Sequence, residues 1–339
     1  MKYLSLFLLA TSISISTQAK IWRVNNTPGV IADFSNFETA VNTAAANDTI
    51  YLESSALSYG GSPHLTKKLT IIGPGYHLDP SDGGNAGLQV TTQDAYLSAT
   101  LQVDPSGTGS KIMGFVCASV YLNGTSNITF ERMRVGSVIY FHTSESTNIT
   151  FRKCYFNASG FLNEYSGGTV NGLTFENNIA AGYVSLTELK GSSNIIRNNN
   201  FTSGSGSTFV NAYFVNNIIS GNAATSLTNC TIKNNIFRYA QTLPGTATGN
   251  KVSQNMDDVF INTGSTDGKY KLKAGSPASG AGLSANGVNN PDCGAFGATD
   301  PYVLSGIPNI PTIYSLTAPT SIPSGSATMN ITFSTRNNN

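Results

Sequence analysis

Charge is what this chain most lacks. Only 11% of its 339 residues are Asp, Glu, Lys or Arg, and the net charge is +1. A typical soluble domain carries about 25% charged residues. With no basic face to offer, the chain is a poor match for nucleic acid, and none is expected as a partner. Histidine is limited to His64, His77 and His142, far apart and without a common spacing. The four cysteines form no CxxC or Cys/His cluster, so a zinc site finds no ligand set. No other metal or cofactor site is legible. Beyond the first residues no run reaches the roughly 20 apolar positions that a bilayer span needs, so no transmembrane segment is expected in the mature chain. Helical periodicity is confined to one short stretch.

In place of these features the chain has a repeat. Six alike segments start at Phe130, Phe151, Phe175, Ile196, Phe214 and Ile232, spaced 21, 24, 21, 18 and 18 residues apart. A weaker seventh starts at Val252, and Ile112 fits as an earlier start. A period near 20, rich in β-branched and aromatic residues, predicts stacked parallel coils. From Ile71 to Val252 there is room for about nine or ten turns, a stack on the order of 45 Å long at the spacing of sheet strands.

The ends differ from the middle. Lys2, an apolar run from Leu4 to Ile15 and the small-residue site Thr17-Gln18-Ala19 predict a signal peptide over 1–19. The mature protein is then expected outside the cell or at its surface. Ser35 and Glu38 read as a capping box for a helix within about 35–46, with Phe37, Ala40, Val41, Ala44 and Ala45 on one face. Terminal repeats need such a cover for their open core. The β-helix domain is expected over 20–300, with a turn-rich closing segment at about 264–300 and a tail at 301–339. Cys117 and Cys154 fall two coils apart, roughly 9–10 Å at the sheet spacing. That is beyond disulfide reach, so buried free thiols are expected.

Equivalent positions of stacked coils sit one above another. The first column (Phe130, Phe151, Phe175, Ile196, Phe214, Ile232, Val252) is core. The second alternates in sign through Glu131, Arg152, Glu176 and Arg197, as outward neighbours should. The fourth runs Met133, Cys154, Asn178, Asn199, Asn217, Asn235, Asn255 and predicts an asparagine ladder at a left-handed bend. A strand upstream of the middle repeats aligns as Val120 to Asn123, Ile139 to His142, Gly160 to Asn163 and Gly182 to Ser185. Alternation turns Tyr121, Tyr140, Phe161 and Tyr183 outward in one stripe, beside Asn123, His142, Asn163 and Ser185. An aromatic stripe flanked by amides and an imidazole suits a sugar chain; a covering loop or the tail is the alternative.

These residues resemble a family. The Asn-rich turns, the capping helix and the closing pattern Ser276-Pro277-Ala278, Gly280, Gly282, Asp292-Cys293-Gly294-Ala295 are similar to secreted right-handed parallel β-helix proteins of the pectate-lyase-like superfamily. The acidic residue that commonly follows is replaced here by Gly297. The resemblance implies an all-β, right-handed solenoid over about 35–300 and allows calcium as a cofactor. It does not assign an activity, because the family spans lyases, galacturonases, tail spikes and adhesins. The hydrolase signature is missing, and Asp257-Asp258 sits at the last turn without a histidine motif. No acidic cluster marks the middle turns. If the chain is an enzyme, a polysaccharide lyase is the form to expect, with Arg152 or Lys153 as base beside Arg132, Arg134 and Glu131; a solvated charged face is the alternative. The expected function is binding of extracellular polysaccharide along Tyr121, Tyr140, Phe161 and Tyr183, by a monomer. A lyase of acidic glycans and a structural or adhesive surface protein remain as alternatives.

Overall fold

The computed structural model describes residues 19–157, 163–165, 167–204, 206–284, 288–322 and 324–338. The signal-peptide reading of 1–19 falls almost wholly outside them. The fold is an all-β parallel solenoid of about nine turns. Ten parallel strands form the first sheet in chain order, from Ile21–Val24 to Thr231–Lys233. A second sheet of eleven strands carries the next side of the coil, and two three-stranded sheets complete the middle turns.

From Phe130 to Ile232 the first-column register is the one the repeat predicts; Val252 falls out of it, because Lys233 pairs with Thr248. Phe130, Phe151, Phe175, Ile196, Phe214 and Ile232 pair rung by rung and are buried. Phe130 and Phe151 stack, 4.8 Å apart with planes 9° apart, and Phe175 continues the column tilted by 56°. Each such side chain contributes about 1.5–3 kcal/mol by leaving water. All four cysteines are free thiols. Burial pushes Cys117, Cys154 and Cys293 up to about 12, so these thiols stay protonated and inert.

The asparagine ladder joins Asn178, Asn199, Asn217 and Asn235, each fully buried. Each amide oxygen takes the backbone N–H of the previous rung, as Asn199 Oδ1 does from Asn178 N at 2.9 Å. Each amide nitrogen reaches backwards and forwards, as Asn199 Nδ2 does to Phe175 O at 2.8 Å and Asn217 Oδ1 at 3.0 Å. The last rung is Asn250, not Asn255. Asn250 Oδ1 accepts both Asn235 N and Asn235 Nδ2 at 2.9 Å. The final coil is shorter than its predecessors, so Thr248 pairs with Lys233 and Asn255 instead caps a short helix at Met256–Val259.

The left-handed bend also lies one position earlier than expected. Arg132, Lys153, Asn177, Asn198, Asn216 and Asn234 have φ between 52° and 57°. Asparagine tolerates that region well. Arg132 and Lys153 do not, and each costs on the order of 1–2 kcal/mol there.

The helix is observed at Phe37–Thr43, with Phe37, Ala40 and Val41 buried in the main core. Its N-cap is Asn36 rather than Ser35: Asn36 Oδ1 accepts Thr39 N at 2.8 Å. That moves Glu38 one place too early for a capping box, and it takes Ser62 N instead.

The closing segment does more than close the last turn. It runs back along the bend column as a strap. Asn234 Nδ2 donates to Ala281 O, Asn216 Oδ1 accepts Leu283 N, and Asn177 Nδ2 donates to Ala295 O and Gly297 O. Lys153 is paired with Asp300, and Arg132 Nη1 donates to Ile307 O at 2.6 Å. Beneath the strap lies an outward column of the second sheet, including Tyr155, Ile179, Ile218 and Ile236, all buried. Gly294, with φ +88°, passes so close that a Cβ there would overlap Asn200 and Ile218. Beyond the strap, Thr312–Thr317 and Thr332–Arg336 form an antiparallel hairpin, where alternation suggests a strand starting near Ala327.

Replacing Asn199 with Ala leaves Asn178 N and Phe175 O without side-chain partners in a dry interior. A loss of about 2–4 kcal/mol is expected, read as a lowered denaturant midpoint with unchanged m. A loss below about 0.5 kcal/mol would show the ladder to be idle.

Candidate functional site

The parallel stack assembles three sets of side chains. The first lies on the outward face of the second sheet. Tyr121 pairs with Tyr140 across adjacent rungs, and the rings meet edge to face, 4.9 Å apart at 86°. His142 lies parallel to Tyr121 at 6.1 Å. In the same row stand Gln102, opposite Tyr121, and His64, opposite Gln102. Asp104 gathers the polar edge. It accepts Gln102 Nε2 at 2.7 Å and Asn123 Nδ2 at 3.4 Å, and His64 Nδ1 lies 3.2 Å away. Thr143 donates to Asn123 Oδ1 at 3.0 Å.

The stripe is shorter than the alignment implies. Tyr140 pairs on its far side with Asn163, and His142 pairs with Tyr165. The equivalence of Tyr140 with Phe161 and of His142 with Asn163 is therefore off by two residues. The coil from Tyr121 to Tyr140 takes 19 residues and the next, to Asn163, takes 23, so a fixed offset fails. Phe161 itself lies outside the described residues. Tyr183 belongs elsewhere: the strand that follows it, Ser185–Leu186, pairs with Thr208 and Phe209 in a separate sheet. Its hydroxyl lies 3.4 Å from Thr208 Oγ1. Stacking also corrects the reading of the histidines. His64 and His142 are far apart in sequence yet share this face, because parallel coils return every turn to the same side.

The second set is the basic group. Glu131 is buried and receives Arg152 Nη2 at 2.8 Å, with Lys111 Nζ at 3.3 Å and Arg132 Nε at 3.6 Å. Burial opposes its ionisation, yet Arg152, Lys111 and Arg132 outweigh burial and hold the carboxyl below its ordinary range. Arg152 also approaches Asp300 at 3.8 Å. Arg132 and Lys153, both buried, bind the strap through Ile307 O and Asp300. Among Glu131, Arg132, Arg152 and Lys153, Arg152 alone is partly open, with a third of its side chain exposed.

The third set has no signature in the sequence. Loop 77–94 folds over the Tyr96 end of the second sheet because Asp94 accepts His77 N and Leu78 N at 3.2 Å each. Arg134 Nη1 stands 3.9 Å from Asp94 Oδ2. His77 holds φ +50°, and its ring meets Tyr155 edge-on at 5.0 Å. His77 Nε2 and Arg134 Nε are buried without a hydrogen-bond partner. Burial, and then Arg134, push His77 down to about 4, so its ring is neutral at physiological pH. Burial raises Asp94 above its ordinary range, against the pull of the two amides and Arg134. These residues come from a loop and from the start of a repeat, so no spacing links them. The unusual φ of His77 was invisible as well.

Among the described residues, no three His, Cys, Asp or Glu converge as a metal-ligand set, so no calcium-binding cluster can be named. No helix among them is long and apolar enough to cross a membrane. No family model matches the chain, and no curated protein matches it.

His77 makes stability depend on pH. The unfolded ring takes a proton near pH 6.5, whereas the folded one refuses it until about 4. The stability that the neutral ring contributes is complete above pH 6.5 and is lost as pH falls towards 4. Thermal melts of wild type and His77→Gln should therefore diverge in slope across that window, with the variant flatter. Asp94 titrates in both proteins, and its opposite contribution cancels in the comparison. Parallel slopes would mean that the folded ring takes its proton at the ordinary pH.

Proposed function

We propose that this chain is an exported, right-handed parallel β-helix protein of the pectate-lyase-like kind, its helix at Phe37–Thr43 plugging the open end of the coil. As a monomer, it holds extracellular polysaccharide on the outward face of the second sheet. The observation that carries this reading is the pairing of Tyr121 with Tyr140 beside His142, rimmed by Gln102, Asp104 and Asn123. Each half-buried tyrosine offers an apolar ring with a polar tip. Asp104 and the amides supply acceptors and donors for sugar hydroxyls. The rows run up the stack, so a chain of sugars laid along it meets one rung every 4.8 Å or so.

A binding role is supported over a lyase role by where the basic side chains go. Arg132 and Lys153 are buried against the strap, and Glu131 is enclosed by three cations. A base must reach a proton on a bound substrate; these groups face protein, and the partly open Arg152 is held by Glu131 at 2.8 Å and lies 3.8 Å from Asp300.

Affinity electrophoresis against a panel of neutral and acidic polysaccharides tests the reading. The double variant Tyr121→Ala/Tyr140→Ala should lose at least about tenfold in affinity, equal to ~1.4 kcal/mol, with its melting curve retained because both rings lie on the outer face of the sheet, outside the buried core. Unchanged retardation of the double variant would sink the proposal. Accumulation of unsaturated uronate products, seen as ultraviolet absorbance, would favour the lyase instead.

A further inference from the structure

The second sheet carries another feature at the opposite end of its longest strands. Tyr96 opens the strand Tyr96–Val103, six residues before Gln102. It pairs with Val116, and Val116 pairs with Arg134 in the next turn. Loop 77–94 stands over these rungs. Between loop and sheet lie two adjoining hollows of about 290 and 490 Å³, both lined by Asp94, Tyr96 and Arg134.

We propose that this cleft is a second saccharide site, selective for uncharged, hydroxyl-rich sugars. It shares only its broad ligand class with the Tyr121 face and none of its residues.

Charge decides the class. Asp79, Asp82 and Asp94 line the cleft, with Arg134 as its only cation. With the three carboxylates ionised and His77 neutral, the lining carries −3 + 1 = −2. A uronate brought into that field meets like charge in a partly desolvated space, which is unfavourable. A neutral polyol meets no such penalty, so the lining favours uncharged sugars over anionic ones.

Hydrogen bonding fits the same class. At 3.9 Å, Arg134 and Asp94 attract each other but do not form a hydrogen bond. The guanidinium offers donors and the carboxylate offers acceptors side by side. Neighbouring hydroxyls, each able to donate and accept, match that pair. Tyr96, 41% exposed, supplies the ring, and Val116, Ala118 and Gly136 make a low floor. His77 marks the place further: its Nε2 is enclosed without a partner, an arrangement costing about 1–3 kcal/mol, and its backbone is left-handed, with φ +50°. Cost of this kind collects at functional sites.

The test uses the full chain with a neutral galactomannan and with polygalacturonate, in affinity electrophoresis at fixed salt. Wild type should be retarded by the neutral polymer more than by the uronate. Tyr96→Ala should weaken neutral binding at least tenfold. Asp82→Lys, an exposed change that takes the lining to 0, should raise uronate binding relative to galactomannan at least threefold. Uronate bound more tightly than galactomannan by the Tyr121→Ala/Tyr140→Ala variant, which lacks the other face, would overturn the proposal, as would Tyr96→Ala within twofold of wild type. The Tyr121→Ala/Tyr140→Ala variant keeps the two sites distinguishable. If it loses all binding while Tyr96→Ala loses none, the cleft falls and the Tyr121 face stands. If the reverse holds, the cleft stands alone. If galactomannan is not bound at all, the cleft falls.

Discussion

A coil of this solenoid cannot satisfy its own backbone. Its short strands carry amides and carbonyls along the stack, and only the coils above and below can take them. Everything regular in the chain follows from that constraint. Strands pair in parallel and in register through ten rungs of the first sheet. At the corner after the first sheet the ladder would break, because the bend turns backbone groups away from their neighbours. The buried amides of Asn178, Asn199, Asn217 and Asn235 repair it, each bonded to the rungs on both sides. An amide is suited to this because it accepts and donates in one plane.

The bend column has a second role that follows from its geometry. A left-handed residue at a corner points its side chain away from the core. Asn177, Asn198, Asn216 and Asn234 use that direction to hold the strap, and where Arg132 and Lys153 replace asparagine they do the same with charge. The backbone strain of these two long residues is offset by anchoring the chain's own C-terminal part. Beneath the strap, Tyr302 bridges Tyr76 at 2.7 Å and Asp267 at 3.1 Å. Asp267 is fully buried and also takes Asn85 Nδ2 and Ser305 N at 2.8 Å. A carboxylate so enclosed is tolerable only with its lone pairs filled.

The sequence was most legible where the structure is periodic. The phenylalanine column and the amide ladder could be read because stacking places alike residues at alike positions. Legibility failed where the period changes. Asn255 was misplaced by the short final coil, and Phe161 and Asn163 by a coil of 23 residues following one of 19. It failed again where function draws on non-repeating chain. Arg134 looks like one more charge in a repeat, and Asp94 like one more loop residue. Only the folding of loop 77–94 onto the second sheet brings them to 3.9 Å. The partners of Arg132 and Lys153 were hidden for the same reason, since Ile307 and Asp300 lie 175 and 147 positions downstream.

The direction of the strap has a consequence in time. Coils can stack one after another as the chain emerges during synthesis, each on the one before it. The strap cannot join them until residues as far as Ile307 have been made, because its contacts reach back from Asn234 to Tyr76. Until then Tyr155, Ile179, Ile218 and Ile236 form an open apolar row on a half-built rod. The nascent protein therefore passes through a stage in which its coils are formed but one side is still adhesive. The arrival of the strap ends that stage.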